Sequence, residues 1–307
     1  MALHGLAELT LGVPDLSAAA AFYEDFGLTR SGSATFATID GGDQLHLVHS
    51  PVRRLMQATF AADDLDDLAE AGRSLGALGV GCHVNGETLS ARDPGSRALV
   101  ALTVRHRQVQ PRHEAAQVNA PGRIDRVAAR AAGIVATGRV RPRRLGHLVL
   151  GTTDFEASCR FFVDGLGFRV SDLVRDVGVF LRCSNDHHNI LVQRAPVSFL
   201  HHTSWQVEDV DAIGRGARDL LAEHPERHVW GLGRHYAGSN FFWYFRDPAG
   251  NFAEYHSDMD CIPDDAIWTA ETLSGTRGLY EWGPPPPPSF IKPDDLTELM
   301  AAGHSVT

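Results

Sequence analysis

One pattern of apolar and polar positions occurs in both halves of the chain. An apolar strand, a polar turn and an amphipathic helix are predicted by AELTLGVPDLSAAAAFYEDFGL from Ala7 and again by GHLVLGTTDFEASCRFFVDGLGF from Gly146. Asp15 and Asp154 stand where the N-cap of each helix is expected. The chain therefore begins the same supersecondary unit twice.

Two further matches extend this repeat to roughly 140 residues. A strand followed by an acidic helix start is predicted by MQATFAADDLDDL from Met56 and by HHTSWQVEDVDAI from His201. Two strands joined by an Asp-Pro-Gly type of turn are predicted by LSARDPGSRALVALTV from Leu89 and by WYFRDPAGNFAEYHS from Trp243. Each module then consists of a strand, a helix and several strands, so the fold class is α+β.

The repeat divides the chain into four parts. We expect a first module over residues 1–110 and a second over residues 144–260. Between them, residues 111–143 replace strand signals with Pro, Arg, Ala and Gly, which predicts a linker. The tail, 261–307, contains GPPPPPSF from Gly283, which cannot join a sheet and is interpreted as a brace across the surface or as a proline-rich ligand for a partner.

Composition restricts the function classes. The 307 residues are 43% hydrophobic and can fill a sizeable core, and a net charge of −10 argues against general nucleic-acid binding. The four cysteines form no C-x-x-C pair, so neither a disulfide framework nor a thiolate zinc site is indicated. No apolar stretch approaches the ~18 residues of a membrane span, and the start lacks the pattern of a signal peptide. We therefore expect a cytoplasmic protein that binds neither membrane nor nucleic acid.

Histidines concentrate where the two modules differ. Sixteen occur, nine of them between His147 and His256. Three positions of the second module carry residues that ligate metals, and the first module has other residues there. The aligned pairs are Glu8 and His147, Gln57 and His202, and Val100 and Glu254.

Two histidines and one carboxylate on different strands suit a divalent iron site. They can occupy one face of an octahedral ion and leave three adjacent positions open for reactants. With alternating side chains, His202 shares a face of its strand with Leu200 and Ser204, and Glu254 shares one with Phe252. The alternative, hydrogen-bonded core histidines and a surface carboxylate, is disfavoured because all three fall at equivalent places of the repeat.

The second module resembles the type I extradiol ring-cleavage dioxygenases of the vicinal oxygen chelate superfamily. The resemblance lies in LGHLVL from Leu145, DHHNILV from Asp186, FLHHTSWQV from Phe199 and GRHYAGSNFFWYFRDPAGNFAEY from Gly233. It implies two tandem modules, each of paired βαβββ units that form a half-open barrel. It also implies iron(II), or alternatively manganese(II), bound by His147, His202 and Glu254.

The resemblance assigns further roles near the metal. It implies that His188 hydrogen-bonds oxygen and exchanges a proton with the substrate, and that His235 and Tyr244 hydrogen-bond the substrate oxygens. His188 is preferred to His187 because HNIL matches the family pattern, although His187 stays open as an alternative. His201 is expected to point to the opposite face from His202, packed or bonded to solvent.

The function implied is extradiol cleavage of a catechol-type diol with dioxygen, by a homo-oligomeric enzyme of aromatic catabolism. Two alternatives on the same fold are a metal-dependent lyase or isomerase of the glyoxalase kind, which normally needs a fourth protein ligand, and a non-catalytic binding protein. Trp230 and Leu232 stand where carboxylate-binding relatives carry a basic residue, so we expect catechols with apolar substituents. Arg277 or Lys292 could instead supply a cation from the tail.

Overall fold

The computed structural model describes residues 2–114 and 116–302, and within them the strands form two mixed sheets. The first sheet has the order β2-β3-β4-β1-β5-β8-β7-β6. Its strands are β1 Leu3–Val13, β2 Thr29–Arg30, β3 Thr35–Thr38, β4 Gly42–His49, β5 Arg54–Ala62, β6 Cys82–Asn85, β7 Thr88–Arg92 and β8 Leu99–Val104.

The second sheet has the order β14-β15-β16-β13-β9-β12-β11-β10-β17. Its strands are β9 Arg144–Thr152, β10 Arg169–Val174, β11 Gly178–Arg182, β12 Ile190–Arg194, β13 Phe199–Gln206, β14 His228–Arg234, β15 Phe241–Arg246, β16 Phe252–Ser257 and β17 Thr272–Leu273. Only β17, from the tail, has no counterpart in the described part of the first sheet.

Helices occupy the predicted places after the first strand of each unit. They are α1 Leu16–Asp25, α2 Leu65–Ala77, α4 Phe155–Arg160 and α5 Val210–Leu221, with short α3 Ala132–Val135 in the linker and α6 Pro288–Ile291 and α7 Leu296–Ala301 in the tail. The predicted caps are confirmed, because the carboxylates of Asp15 and Asp154 accept hydrogen bonds from the backbone N–H groups of Ala18 and Ala157. Each sheet thus consists of two βαβββ units joined at a central antiparallel pair, β1 with β5 and β9 with β13. The predicted α+β fold of paired units is confirmed.

The helices of the two modules pack into one shared core. Phe26, at the end of α1, stacks on Tyr255 of β16 with ring centroids 4.2 Å apart, and the Tyr255 hydroxyl donates to the Phe26 carbonyl at 2.5 Å. Phe60 of β5 meets Phe168 edge-on at 5.0 Å. In β16, Ala253 and Tyr255 face this core, so the alternation of a strand sends Glu254 and His256 to the other face of the sheet. The packing of the core therefore fixes which side chains reach the concave face.

Tail residues cover the rim of the second barrel. Strand β17 adds to β10, and Trp282 forms a backbone bridge with Arg234. The proline run passes over Trp230, whose indole N–H donates to the Pro284 carbonyl at 2.7 Å. The tail thus packs across the surface of this barrel, and it inserts the buried ring of Phe290 beside β13 and β15. No helix in the described ranges is long and apolar enough to cross a membrane.

Candidate metal centre

Three adjacent strands bring His147, His202 and Glu254 together. In the register of β16, β13 and β9, Ser204 lies opposite both Glu254 and His147, and His202 lies two residues along the same strand. The Nε2 atoms of His147 and His202 lie 3.2 Å and 3.6 Å from Oε2 of Glu254. The ligand atoms all lie within 4.8 Å of one another, which is the spacing that one ion can bridge.

The buried carboxylate of Glu254 fits a cation. Its side chain is 0% exposed, and Oε2 has no hydrogen-bond partner among the described residues. Burial by itself would raise the pKa of Glu254, but interactions with His147, His235 and His202 outweigh it and hold the pKa well below its usual range. An ionised carboxylate with an unused buried oxygen is costly unless a positive charge meets it. A divalent ion bound by the three residues would meet that need.

A bulge in β13 places His201 differently from the prediction. His201 and His202 together lie opposite a single position of β9, because the register shifts between Leu200 and His202. The ring of His201 consequently lies beside that of His202 and lines the same cavity rather than the opposite face. The predicted orientation of His201 was wrong because strict alternation does not hold across a bulge.

This arrangement determines which nitrogen of His202 is free. The Nε2 of His201 lies 2.7 Å from the carbonyl oxygen of Phe290, so it must be the protonated nitrogen. The Nδ1 atoms of His201 and His202 lie 2.8 Å apart, and in neutral rings His202 therefore donates its proton from Nδ1. The Nε2 of His202 keeps its lone pair and faces Glu254, as a metal ligand requires. Burial, followed by the neighbouring His201, lowers the pKa of His202 well below its usual range, which keeps the ring neutral.

His188 lies beside the three candidate ligands. Its ring centroid is 4.2 Å from that of His147, and the residue lines the cavity. His187 lies on the far side of His188, is 0% exposed and is absent from the cavity lining. Burial, followed by the neighbouring His147 and His187, lowers the pKa of His188 well below its usual range. His188 therefore lies at the cavity, where it was expected. Its role in proton exchange stays a prediction.

His235 and Tyr244 form a hydrogen-bonded pair at the same site. The carbonyl of Leu279 accepts from Nδ1 of His235, which leaves Nε2 to accept the Tyr244 hydroxyl at 2.9 Å. Burial, followed by the charge of Glu254, raises the pKa of Tyr244 well above its usual range, so the phenol stays protonated. Because its O–H donates to His235, the Tyr244 oxygen can still accept a hydrogen bond from a bound molecule.

Two buried polar residues at the site were not predicted. Asn240, 0% exposed, donates from its amide to Oε1 of Glu254 at 3.3 Å and so holds the carboxylate that faces the other two ligands. Asp172, 3% exposed, lies 3.0 Å from His187. Asn240 reads as an ordinary loop residue in GSNFF. Asp172 interrupts the apolar pattern of VSDLV, and this polar position in a strand was the one available signal.

A cavity of about 550 Å³ opens from the candidate ligands and has a largely apolar wall. This volume is within the ordinary range for a small-molecule site. The apolar residues of the lining are Val149, Val174, Val177, Phe180, Leu191, Ala237, Leu279, Phe290 and Ile291. Charged residues of the lining include Arg175, Asp176 and Arg194, of which Arg194 donates to Glu156.

Trp230 and Leu232 do not line this cavity. Trp230 is 1% exposed, and its ring stacks on Tyr244 and is tilted against Phe290, which both line the cavity. The prediction that Trp230 and Leu232 are the apolar residues that meet the substrate was therefore wrong. Arg277 and Lys292, the tail cations considered for the cavity, are exposed and outside its lining, and Arg277 lies over the ring of Tyr236.

The first module carries other contacts at the corresponding positions. Glu8 pairs with Arg105 at 2.5 Å, and Gln57 donates to Thr59 at 3.0 Å. The register makes Ala101, not Val100, the counterpart of Glu254, because Ala101 lies opposite Thr59 as Glu254 lies opposite Ser204. The turn from Asp93 to Ala98 is one residue longer than its partner from Asp247 to Asn251, and this shifts the alignment.

Comparison with known proteins gives a consistent family. Residues 144–255 match the model of the glyoxalase/bleomycin resistance protein/dioxygenase superfamily. The chain is 31% identical over 304 residues to "Metapyrocatechase 2" of Cupriavidus necator, covering 95% of this chain and 92% of that protein. It is 27% identical to "3-methylcatechol 2,3-dioxygenase" of Pseudomonas putida, covering 83% and 90%. The solved structure of a Mn(II)-bound glyoxalase from Novosphingobium aromaticivorans is similar with a TM-score of 0.72 and 25% identity, covering 93% and 95%.

Proposed function

The chain belongs to the extradiol dioxygenases of the glyoxalase/bleomycin resistance protein/dioxygenase superfamily, and we propose that it cleaves the ring of a catechol-type diol with dioxygen at one iron(II) bound by His147, His202 and Glu254. The observation that carries the proposal is a buried set of two histidines and one carboxylate at the end of an apolar cavity. This donor set on one face of an ion is typical of non-haem iron(II) oxygenases, and manganese(II) is the second candidate.

The metal, when bound, would supply a centre that holds the diol and dioxygen side by side and carries the electron transfer between them. Its three protein ligands offer two neutral imidazoles and one carboxylate, so the charge left on a divalent ion attracts an anionic diol oxygen. The apolar wall of the cavity excludes water from the reacting groups and thereby strengthens these electrostatic interactions.

The other residues of the site would orient the diol and move its protons. Tyr244, which donates to His235, presents an oxygen that can accept a diol hydroxyl. His188, neutral and 3% exposed, is placed to take a proton from the diol and return it later, as general acid–base catalysis requires. These roles are proposed from position and hydrogen bonding.

A metal-dependent reaction of the glyoxalase kind is the second candidate, favoured by the likeness to the Mn(II)-bound glyoxalase structure. Its usual fourth protein ligand is the feature that separates the two. Among the described residues, the group of histidine and carboxylate ligands at this site has three members. We therefore rank ring cleavage first.

The test is aerobic turnover by protein purified without oxygen and loaded with iron(II). We expect simple and alkyl catechols to give a yellow ring-opened product with one dioxygen consumed per ring. A Glu254→Gln protein treated identically should give neither. Isomerisation of a hemithioacetal without dioxygen uptake, by the same preparation, would support the glyoxalase reading instead.

Three further expectations stay predictions. They are a cytoplasmic location, a homo-oligomeric state, and the division into modules at 1–110 and 144–260 with the linker 111–143 and the tail 261–307.

A further inference from the structure

A buried carboxylate lies behind His188, outside the set of proposed ligands. Asp172 in β10 is 3% exposed, and its two oxygens have different partners. The backbone N–H of Glu271, in the tail, donates to Oδ1 at 2.8 Å. The Nε2 atom of His187 lies 3.0 Å from Oδ2. A buried carboxylate needs such donors, because each oxygen would otherwise remain unsatisfied.

His187 connects this carboxylate to the cavity residue His188. It is 0% exposed, and its ring is held edge-on between Phe180 and Trp268 at centroid distances of 5.7 Å and 5.3 Å. Its Nδ1 lies 3.1 Å from Nδ1 of His188. The three side chains therefore form a hydrogen-bonded line from β10 to the cavity.

The positions of the protons along this line follow from which atoms can donate and which can only accept a hydrogen bond. An ionised carboxylate only accepts, so Nε2 of His187 carries the proton that faces Asp172. A neutral His187 then has a lone pair on Nδ1, and His188 must donate from its own Nδ1. The remaining nitrogen of His188, Nε2, is left without a proton and available to the cavity.

We propose that Asp172 and His187 form a buried relay that fixes His188 in the tautomer whose unprotonated Nε2 faces the substrate. An unprotonated Nε2 can accept a diol proton, whereas Nε2–H can only donate one. Asp172 and His187 are positioning residues, since they act through His188 and lie outside the cavity lining. The catalytic consequence rests on the proposed ring cleavage, but the tautomer itself does not.

The neighbouring pair of histidines shows that the acceptor at the far end is the decisive group. His201 and His202 meet through their Nδ1 atoms in the same manner, with the Phe290 carbonyl in the place of Asp172. A carbonyl and a carboxylate both demand a donor, so both lines direct a lone pair toward the site. The lone pair on Nε2 of His202 would bind the metal, and the lone pair on Nε2 of His188 would accept a proton.

Replacing Asp172 by asparagine should exchange the hydrogen-bond donors and acceptors between residue 172, His187 and His188, because asparagine has the same shape as aspartate but carries an NH₂ group. The amide oxygen must stay on the Glu271 N–H, since an NH₂ group cannot accept from it, so the NH₂ faces His187. Nε2 of His187 then becomes the acceptor, its proton moves to Nδ1, and His188 accepts at Nδ1. His188 would therefore carry its proton on Nε2, toward the cavity.

The experiment is ¹⁵N NMR of the ring nitrogens in the metal-free full-length chain at pH 8. The His187 and His188 signals are assigned by their loss in His187→Phe and His188→Phe proteins. We expect the native His188 to be protonated at Nδ1 alone and the Asp172→Asn protein to show protonation at Nε2. Native His188 protonated at Nε2, or native His187 protonated at both nitrogens, would overturn the proposal even if Asp172→Asn failed to fold.

Kinetics of the iron-loaded protein supply the second readout. Asp172→Asn should retain its iron and its KM for catechol while kcat falls by about 10²- to 10⁴-fold, the usual contribution of one proton-transfer group. The control is Asp264→Asn in the tail, because Asp264 caps a short turn from Asp265 to Ile267 and asparagine caps equally well. An Asp172→Asn protein with inverted tautomer and native kcat would refute the relay's role in turnover. The native tautomer with no ring cleavage by any variant would instead refute the proposed function.

Discussion

The Nδ1 atoms of His201 and His202 face each other at 2.8 Å, although strict alternation would have put the two rings on opposite faces of β13. This contact makes His201 the acceptor that fixes the tautomer of a proposed metal ligand. We predict that His201→Leu weakens iron(II) binding by roughly 10- to 100-fold, the usual effect of losing such an outer partner. Competition with a chromophoric chelator under anaerobic conditions measures the affinity.

His201→Asn provides the matched comparison. Its amide oxygen can accept from Nδ1 of His202 and should recover part of the affinity that His201→Leu loses. His49→Leu, at an exposed histidine of the first module, should bind iron like the native protein. Equal affinity in the native and His201→Leu proteins would show that His202 needs no such acceptor.

The metal should bind once per chain and only in the second module. Glu254→Gln removes the charge that draws a cation to the buried site, so we predict loss of the bound iron, and likewise for His147→Ala and His202→Ala. Glu8→Gln, at the position of the first module aligned with His147, should leave one iron per chain. The first module lacks the ligand set, since Ala101 stands where the second module has Glu254. Elemental mass spectrometry measures the number of iron ions per chain. Two irons per native chain, or a full iron in Glu254→Gln, would contradict the assignment.

The proton-handling residues should separate turnover from metal binding. His188→Phe should retain iron and lose about 10²- to 10⁴-fold in kcat. Tyr244→Phe should also retain iron and turn over more slowly, since it removes the oxygen that orients the diol but no ligand. Steady-state rates are normalised to the measured iron content. Full activity in His188→Phe together with lost activity in His187→Phe would reverse the choice between these two histidines. In that case His187 could not be acting through His188.

Substrate preference should follow the apolar wall of the cavity. Substituents that bury carbon against Phe180, Leu191 and Phe290 gain roughly 25 cal/mol per Å² of surface removed from water. A carboxylate would lose several kcal/mol of hydration unless a cation met it. We predict higher kcat/KM for alkyl or aryl catechols than for catechols that bear a carboxylate side chain.

Arg175 is the residue most able to reverse that preference. It lines the cavity and is exposed, whereas Arg277 and Lys292 lie outside the lining. A preference for carboxylate-bearing catechols that disappears in Arg175→Ala, Arg277→Ala or Lys292→Ala would refute the substrate prediction and leave ring cleavage intact.

The sequence predicted what depends on local pattern and missed what depends on tertiary contact. His147, His202 and Glu254 could be chosen because a repeat aligned them with residues of another chemistry. The orientation of His201 could not, because a bulge is invisible in periodicity, and Val100 was taken for Ala101 because the turn before it is one residue longer in the first module.

The supporting contacts of the site come from segments distant in sequence. Asn240 contacts Glu254 from the loop before β15, and Asp172 depends on His187 and on the backbone of Glu271 in the tail. Phe290 reaches His201 across 89 residues. Such partners are set by how the tail folds over the barrel, which no spacing of residues in the sequence records.

Cleavage in an atmosphere of ¹⁸O₂ tests the central claim most directly. The anaerobically purified, iron-loaded protein would receive 3-methylcatechol and labelled dioxygen, and the product would be reduced at once to prevent exchange of its aldehyde or ketone oxygen. We predict a ring-opened product that is cut beside the diol and contains two ¹⁸O atoms. An unlabelled product, or a dicarboxylate cut between the two hydroxyl-bearing carbons, would contradict it.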